Sequence, residues 1–153
     1  MEDEVEGWIR GRLPDGWFHG PAEVISDSEE ILVLGRLLDA DISAAQFRES
    51  TRVLRTKIGH EARQRFGRRL SWGVRENDQL VLFTSLSVPV MTRLRIRERG
   101  VLDTLVASGV ARSRSDALSW CVRLVGQHQK DWIEELRRAL IGVEEAKVKG
   151  PSA

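Results

Sequence analysis

The chain has 153 residues, which is enough for one ordinary domain or two very small ones. Its hydrophobic fraction of 41% and charged fraction of 31% are those of a globular protein with a real core. No apolar run approaches the roughly 18 residues of a membrane span, and the start MEDEVEG is too acidic for a secretory signal. We therefore expect a cytoplasmic protein. One cysteine and 3 scattered histidines exclude an internal disulfide and give no metal-ligand spacing, so no cofactor is expected.

Charge is distributed unevenly along the chain. Residues 1–47 carry 3 Lys and Arg against 11 Asp and Glu, whereas residues 48–99 carry 13 against 5. An acidic N-terminal segment (residues 1–47, the acidic head) followed by a basic central segment (residues 48–99) is typical of a protein that binds a polyanion through local contacts. A general preference for arginine, with 20 Arg and 4 Lys, produces the same pattern without such a role. The charge alone leaves both interpretations open.

The first half of the chain predicts a small α+β unit. Residues 1–16 are acidic and interrupted by Gly and Pro, so a loose N-terminal segment is expected there. Residues 17–87 are predicted to form a ββαββ unit. Its predicted elements are strands at 22–26 and 31–37, a helix at 44–66, and a hairpin of strands at 70–75 and 79–86.

The predicted helix at 44–66 has two contrasting faces. Its apolar stripe consists of Phe47, Leu54, Ile58, Ala62 and Phe66. The opposite face carries five arginines, and we expect it to be solvated; a second phosphate contact and a partner for the acidic head are the alternatives. These arginines are Arg48, Arg52, Arg55, Arg63 and Arg65. Assembly, ligand sensing and partner binding are all open as the role of this unit.

The second half begins at the VPV sequence around Pro89, which resists both helix and sheet. From Met91 to Arg97 arginines alternate with Thr92, Leu94 and Ile96, which predicts a strand with one basic face. Three helical patterns follow, at about 97–108, 115–125 and 127–146, and residues 147–153 are predicted to be a frayed tail. The predicted second domain therefore spans 88–146.

Two local signals mark the connection between the first two of these helices. Gly109 is placed to end the first helix in a left-handed conformation. Ser113 is the predicted N-cap of the second helix, and Asp116 three residues later resembles a capping box. Three tryptophans, Trp72, Trp120 and Trp132, fall on apolar stripes and are predicted to be core residues, as is Cys121. Trp17 and Phe18 are expected to pack on the hairpin, with an interaction site as the alternative.

The order of strand, helix, glycine turn and helix over residues 91–126 resembles the ribbon-helix-helix DNA-binding family of the MetJ/Arc type. The matching segments are RLRIR, GVLDTLV and SRSDALSWCVRLV. The resemblance implies a homodimer in which two copies of the strand pair antiparallel and enter the major groove of double-stranded DNA. Two features depart from the family: about 90 residues of other structure precede the strand, and a further helix follows.

The resemblance also implies roles for individual residues. Base-reading is assigned to Arg93, Arg95 and Arg97, and phosphate binding to Arg112, Ser113, Arg114 and Ser115. The dimer core is assigned to Leu94, Ile96, Leu102, Leu105, Leu118 and Cys121.

The expected protein is an α+β homodimer that binds specific double-stranded DNA sequences, a transcriptional regulator of repressor type associated with the nucleoid, which can form tetramers on DNA. An unknown effector or protein partner is expected at the N-terminal unit. The alternative is an antitoxin-like or adaptor protein that dimerises through its second half and binds a protein through its first. No nucleophile-and-base pair or phosphate-cradling glycine loop is present in the sequence, so an enzyme is not expected.

Overall fold

A computed structural model describes residues 2–151, with the side chain of residue 2 outside the description. The chain divides into two compact units, unit 1 at Met1–Pro89 and unit 2 at Val90–Ala153. The described residues contain a four-stranded sheet and six helices, which confirms the α+β class.

Unit 1 contains three helices and the whole sheet. Its elements are α1 (Glu2–Arg10), β1 (Glu23–Ser26), β2 (Glu30–Arg36), α2 (Ala44–Ser50), α3 (Arg52–Phe66), β3 (Arg69–Glu76) and β4 (Gln79–Leu82). The strands lie in sequence order, and β2 pairs with β3 in parallel while both outer pairs are antiparallel. The ββαββ order that the hydrophobic pattern predicts is therefore confirmed.

The prediction of a loose acidic segment at 1–16 is wrong, because this segment contains helix α1. Val5 and Ile9 lie one turn apart and are fully buried. The Trp8 ring meets the Phe66 ring edge-on with centroids 5.3 Å apart, and Glu4 accepts a hydrogen bond from Arg65 of α3 at 2.9 Å. The sequence pattern does not indicate this helix because its few apolar residues alternate with acidic ones. Tertiary packing supplies most of the stability of so short a helix.

The core of unit 1 lies between α2 and α3 and one face of the sheet. Ile31 and Val33 of β2 are paired with Leu70 and Trp72 of β3, so their side chains share this face. Phe18 packs directly on Gly35, where a β-carbon would lie 2.2 Å from the ring, so β2 requires a glycine at this position. Trp17 joins the cluster through edge-on contacts with Phe47 and Trp72, which confirms packing for the GWFHG segment.

The hairpin of β3 and β4 is shorter than predicted. Asn77 and Asp78 have φ of 49° and 61°, the left-handed conformation that a two-residue hairpin turn of type I′ requires at both positions. The ladder ends at Leu82, because Phe83 N and Thr84 N both approach the carbonyl of Trp72, at 2.8 and 3.4 Å. Two residues opposite one is the arrangement of a β-bulge, and it ends the regular pairing predicted through residue 86.

The predicted helix at 44–66 is interrupted at Thr51, whose hydroxyl is buried and donates to the Phe47 carbonyl at 2.6 Å. A threonine that bonds the preceding turn bends a helix. Two positions on this helix are corrected: Leu54 is 39% exposed, and Arg55 is 8% exposed although it was placed on the solvated face. Arg55 lies on the same helical stripe as the buried residues Thr51 and Ile58, and the aromatic ring of Phe83 lies 5.1 Å from its guanidinium carbon.

Unit 2 consists of helices α4 (Ile96–Ala107), α5 (Arg114–His128) and α6 (Lys130–Lys149). All three predicted helices are present, with ends that differ by a few residues. The predicted frayed tail at 147–153 is helical through Lys149, and its last two residues lie outside the described part of the chain.

We predict that Ile9→Ala lowers the free energy of unfolding of unit 1 by about 2–5 kcal/mol, because it leaves a cavity between α1 and the core. Denaturant unfolding followed by circular dichroism measures the change. Val53→Ala, at a position 86% exposed on α3, is the control and is expected to change stability by no more than about 0.5 kcal/mol. Equal effects of the two substitutions would contradict the docking of α1.

Candidate nucleic-acid interface

The basic segment 91–95 that precedes α4, called the extended segment below, is not part of a strand in the single chain, and its last residue, Arg95, has extended backbone dihedral angles (φ −82°, ψ 173°). No backbone–backbone hydrogen bond among the described residues involves Met91, Thr92 or Arg93. An isolated strand has nothing to pair with, and the four-stranded sheet includes no residue of this segment. Leu94 is half-buried against the core of unit 2, whereas Arg93 and Arg95 on either side of it are exposed.

The structure corrects the length of the predicted strand. Helix α4 begins at Ile96, so Ile96 and Arg97 lie in its first turn, not on a strand with Arg93 and Arg95. The reason is local: the Glu98 carboxylate accepts a hydrogen bond from the Arg95 N–H at 2.7 Å, and the Arg99 guanidinium donates to the Leu94 carbonyl at 2.7 Å. Both contacts satisfy backbone groups at the start of the helix. Glu98 three residues after Arg95 was the sequence signal for this start, and the alternation of arginines obscured it.

The core of unit 2 is small. The buried hydrophobic residues of this unit are Leu102, Ala111 and Ala117, and five further side chains pack partly against them. These five are Leu94, Leu105, Val106, Leu118 and Cys121. The structure therefore brings together five of the six residues predicted to form the dimer core, and Ile96 is left out at 76% exposure.

The turn between α4 and α5 follows the prediction closely. Gly109 has φ of 78°, and the N–H groups of Val110 and Ala111 both bond the Leu105 carbonyl. Ser113 is the N-cap of α5, with its hydroxyl accepting from the Asp116 N–H at 3.1 Å. The Asp116 carboxylate in turn accepts from the Arg112 N–H at 2.9 Å, which holds the chain reversal at the helix start.

Arg114 is fixed to the neighbouring helix. Its Nε and Nη2 donate to the two carboxylate oxygens of Asp103 at 2.7 and 2.9 Å, a bidentate pair that links α5 to α4. These hydrogen bonds hold the pKa of the Asp103 carboxyl below its ordinary value and raise the pKa of Arg114. The predicted role of Arg114 as a phosphate ligand is thus in competition with a structural one. The Arg112 side chain is 94% exposed, with its Nε 3.8 Å from the Asp116 carboxylate. Asp103 was missed because nothing in the sequence pairs it with a residue eleven positions away.

Helix α6 buries none of its side chains in the single chain. Trp132, Leu136, Leu140 and Val143 of its apolar stripe are all between 46% and 58% exposed. The prediction that Trp132 is a core residue is therefore wrong for one copy of the chain, whereas Trp72 is buried as predicted. A stripe fixes which face of a helix is apolar, but the neighbour that covers it belongs to tertiary or quaternary structure.

Among residues 2–151, no three His, Cys, Asp or Glu side chains are grouped as metal ligands would be. Over the same residues, no helix combines the length and the apolar character that crossing a membrane requires.

Two family models match the chain and divide it near the boundary between the units. The model of the Rv1265-like protein N-terminal domain covers residues 3–82, and that of the Mb1296 C-terminal domain covers residues 95–147. The chain belongs to the Rv1265-like family. The Mb1296 protein of Mycobacterium bovis and the Rv1265 protein of Mycobacterium tuberculosis are each 48% identical to it over 155 aligned positions, which cover 94% of this chain and 69% of each relative. No solved structure matches the chain.

The extended segment lies at the boundary between the ranges that the two family models match. Residues 83–94, which contain Arg93, lie between the two matched ranges, and Arg95 is the first residue of the second range. In this member of the Rv1265-like family the candidate interface is thus formed by the connection between two domains and by the start of the second one.

We predict that the Asp103 carboxyl titrates at a lower pH than an ordinary aspartate, whose pKa is about 3.9, and that Arg114→Gln raises its pKa toward that value. Carbon-13 NMR of the side-chain carboxyl measures both. Because the pKa is lowered on folding, the pair stabilises unit 2 above the ordinary pKa, and this contribution is lost as the pH falls through the folded value. An unchanged Asp103 pKa in Arg114→Gln would contradict the bidentate pair.

Proposed function

We propose that this member of the Rv1265-like family is a homodimeric, sequence-specific DNA-binding protein of ribbon-helix-helix type that acts as a transcriptional regulator. The observation that supports the proposal most is the incomplete core of unit 2. Three buried hydrophobic residues are too few to stabilise a unit of this size, and a second copy is a natural source of the missing contacts.

The apolar residues left uncovered support pairing between copies. Ile96 and Val101 of α4 are 76% and 55% exposed, and Val122 and Val125 of α5 are 65% and 51% exposed. Ordinary surfaces scatter such residues singly, whereas here they lie on the two helices next to the extended segment. Covering these side chains with the same face of a second chain produces a closed, two-fold dimer.

The orientation of the extended segment supports a ribbon that reads DNA. Leu94 packs partly against the core while Arg93 and Arg95 are exposed, as on a strand with one buried face; Thr92, on the same side as Leu94, is exposed in the single chain. Two such segments, paired antiparallel, satisfy each other's backbone and present four arginines from one surface. Arginine binds guanine O6 and N7 in the major groove with two hydrogen bonds. Because Arg97 lies in helix α4, the proposal assigns base-reading to Arg93 and Arg95.

Charge and helix geometry support additional contacts to the phosphate backbone. Unit 2 carries 12 Lys and Arg against 8 Asp and Glu, so its net charge is positive. The start of α5 offers free N–H groups beside the exposed side chain of Arg112, and such helix starts bind anions. Phosphate contacts place the protein on the duplex, and the ribbon supplies specificity.

Dimerisation is tested by Ile96→Glu. This side chain is exposed in one chain, so the substitution is expected to leave unit 2 folded but to place a charge in the proposed dimer interface. Sedimentation equilibrium should give twice the chain mass for the natural protein and a single chain mass for the variant. Val53→Glu, at an exposed position in unit 1, is the control and should remain dimeric. A monomeric natural protein would refute the proposal.

Base-reading is tested by Arg93→Ala and Arg95→Ala. After the preferred site has been selected from random DNA, each substitution is expected to cost about 1–3 kcal/mol of discrimination at one base pair. Arg138→Ala on α6 removes the same charge from an exposed position and should leave the preference unchanged. Binding titrations against the site and its single-base variants measure the difference. If neither ribbon variant differs from Arg138→Ala, the arginines do not read bases.

A further inference from the structure

Arg55 is a buried cation in unit 1. The residue is 8% exposed, and its Nε donates to the Thr51 hydroxyl at 3.0 Å while its Nη2 donates to the Arg48 carbonyl at 2.6 Å. Phe83 lies against its guanidinium group. All of these partners are neutral, and no ion pair among the described residues includes Arg55. The guanidinium is held in one position without a negative charge to balance it.

A buried charge without a counter-charge is unusual, because its transfer out of water is costly. Burial lowers the pKa of Arg55, and the nearby charges of Arg48 and Arg52 lower it further. Arginine nevertheless stays protonated under all ordinary conditions. The hydrogen bonds to the Thr51 hydroxyl and to the Arg48 carbonyl in the last turn of α2, together with the Phe83 ring, offset part of this cost, and a bound anion would offset more of it.

The surroundings of Arg55 increase this positive charge. Arg48 and Arg52 precede it by seven and three positions, so that all three lie on one side of the bent α2–α3 helix. Both have exposed side chains, and neither takes part in an ion pair with another described residue. The acidic residue within this stretch, Glu49, has the weakest effect of the neighbouring charges on Arg55.

The other end of the same helix shows the contrast. Arg65 donates to Glu4 of α1 at 2.9 Å, and Glu61 accepts from Arg12 at 2.8 Å. The five arginines that the sequence places on one face of the predicted helix therefore differ in their partners. At that end Arg65 is paired with an acidic residue of α1, whereas Arg48, Arg52 and Arg55, like Arg63, have no ion-pair partner among the described residues.

We propose that Arg48, Arg52 and Arg55 form a binding site in unit 1 for a phosphate group. The planar guanidinium matches phosphate oxygens with paired hydrogen bonds. Arg55 is fixed by Thr51 and Phe83 before any ligand arrives, so little conformational entropy is lost on its side when an anion binds. A free phosphorylated compound and a nucleic-acid backbone offer the same group. The site is independent of base-reading by unit 2.

The proposal is tested on the full chain by NMR of the arginine Nε–H groups during titration with inorganic phosphate. Chloride at the same ionic strength is the reference. We expect a saturable shift of the Arg55 signal with phosphate alone, and about tenfold weaker binding in Arg52→Gln, since one charge-assisted hydrogen bond is lost. Arg63→Gln is the matched control: it lies on the same helix, eleven residues or about 16 Å from Arg52, and its side chain is exposed.

Three results of this titration would overturn the site: no saturable shift, the same shift with chloride, or equal weakening in Arg63→Gln. A second titration with duplex DNA separates the two sources of phosphate. If nucleic acid is the ligand, the Arg48→Gln/Arg52→Gln double variant loses affinity equally for all sequences and has a shallower salt dependence. If the ligand is a free phosphorylated compound, DNA affinity is unchanged. Failure of the natural protein to bind DNA would refute the function proposed for unit 2 and leave the phosphate titration valid.

Discussion

An apolar surface that one chain does not bury is the constraint on which unit 2 depends. Helices α4 and α5 enclose Leu102, Ala111 and Ala117, and the remaining aliphatic side chains of these helices stay partly or largely in water. The hydrophobic effect makes such a surface a driving force for association, because its contribution grows with the apolar area removed from water. In the dimer that we propose, a second copy of the chain supplies an identical surface. The same association would give the extended segment a partner for its backbone.

Polar contacts at the ends of α4 and α5 determine how this surface is presented. Glu98 and Arg99 hold the start of α4, and the Ser113 and Asp116 pair holds the start of α5. The Asp103–Arg114 pair joins the two helices from their exposed sides. Exposed ion pairs contribute little to stability by themselves. Their effect here is geometric, since they fix the first turn of α5 relative to α4 next to the extended basic segment.

Unit 1 uses arginine in a different way. Arg65 of α3 donates to Glu4 of α1, and Arg12, just after α1, donates to Glu61 of α3, so two ion pairs link the N-terminal segment to α3. At the bend around Thr51 the same helix carries Arg48, Arg52 and Arg55 with neutral neighbours instead. Arg55 lies on the buried stripe of this helix, four residues after Thr51, and packs against Phe83. The C-terminal end of this helix is therefore held by ion pairs to the N-terminal segment, whereas the end around Thr51 carries arginines without ion-pair partners.

The sequence by itself determined the α+β class, the ββαββ order of residues 17–87, the three helices of unit 2, the glycine turn at Gly109 and the cap at Ser113. These features depend on periodicity and on local backbone preferences, which a single segment contains. Only the tertiary structure decided that α1 is a docked helix, that Arg55 is buried, that Ile96 belongs to a helix and that Arg114 is paired with Asp103. Each of these depends on residues distant in the sequence or on a competition between neighbouring hydrogen bonds. Hydrophobic and charge patterns record which face of an element is apolar, but the neighbour that meets this face is selected by packing.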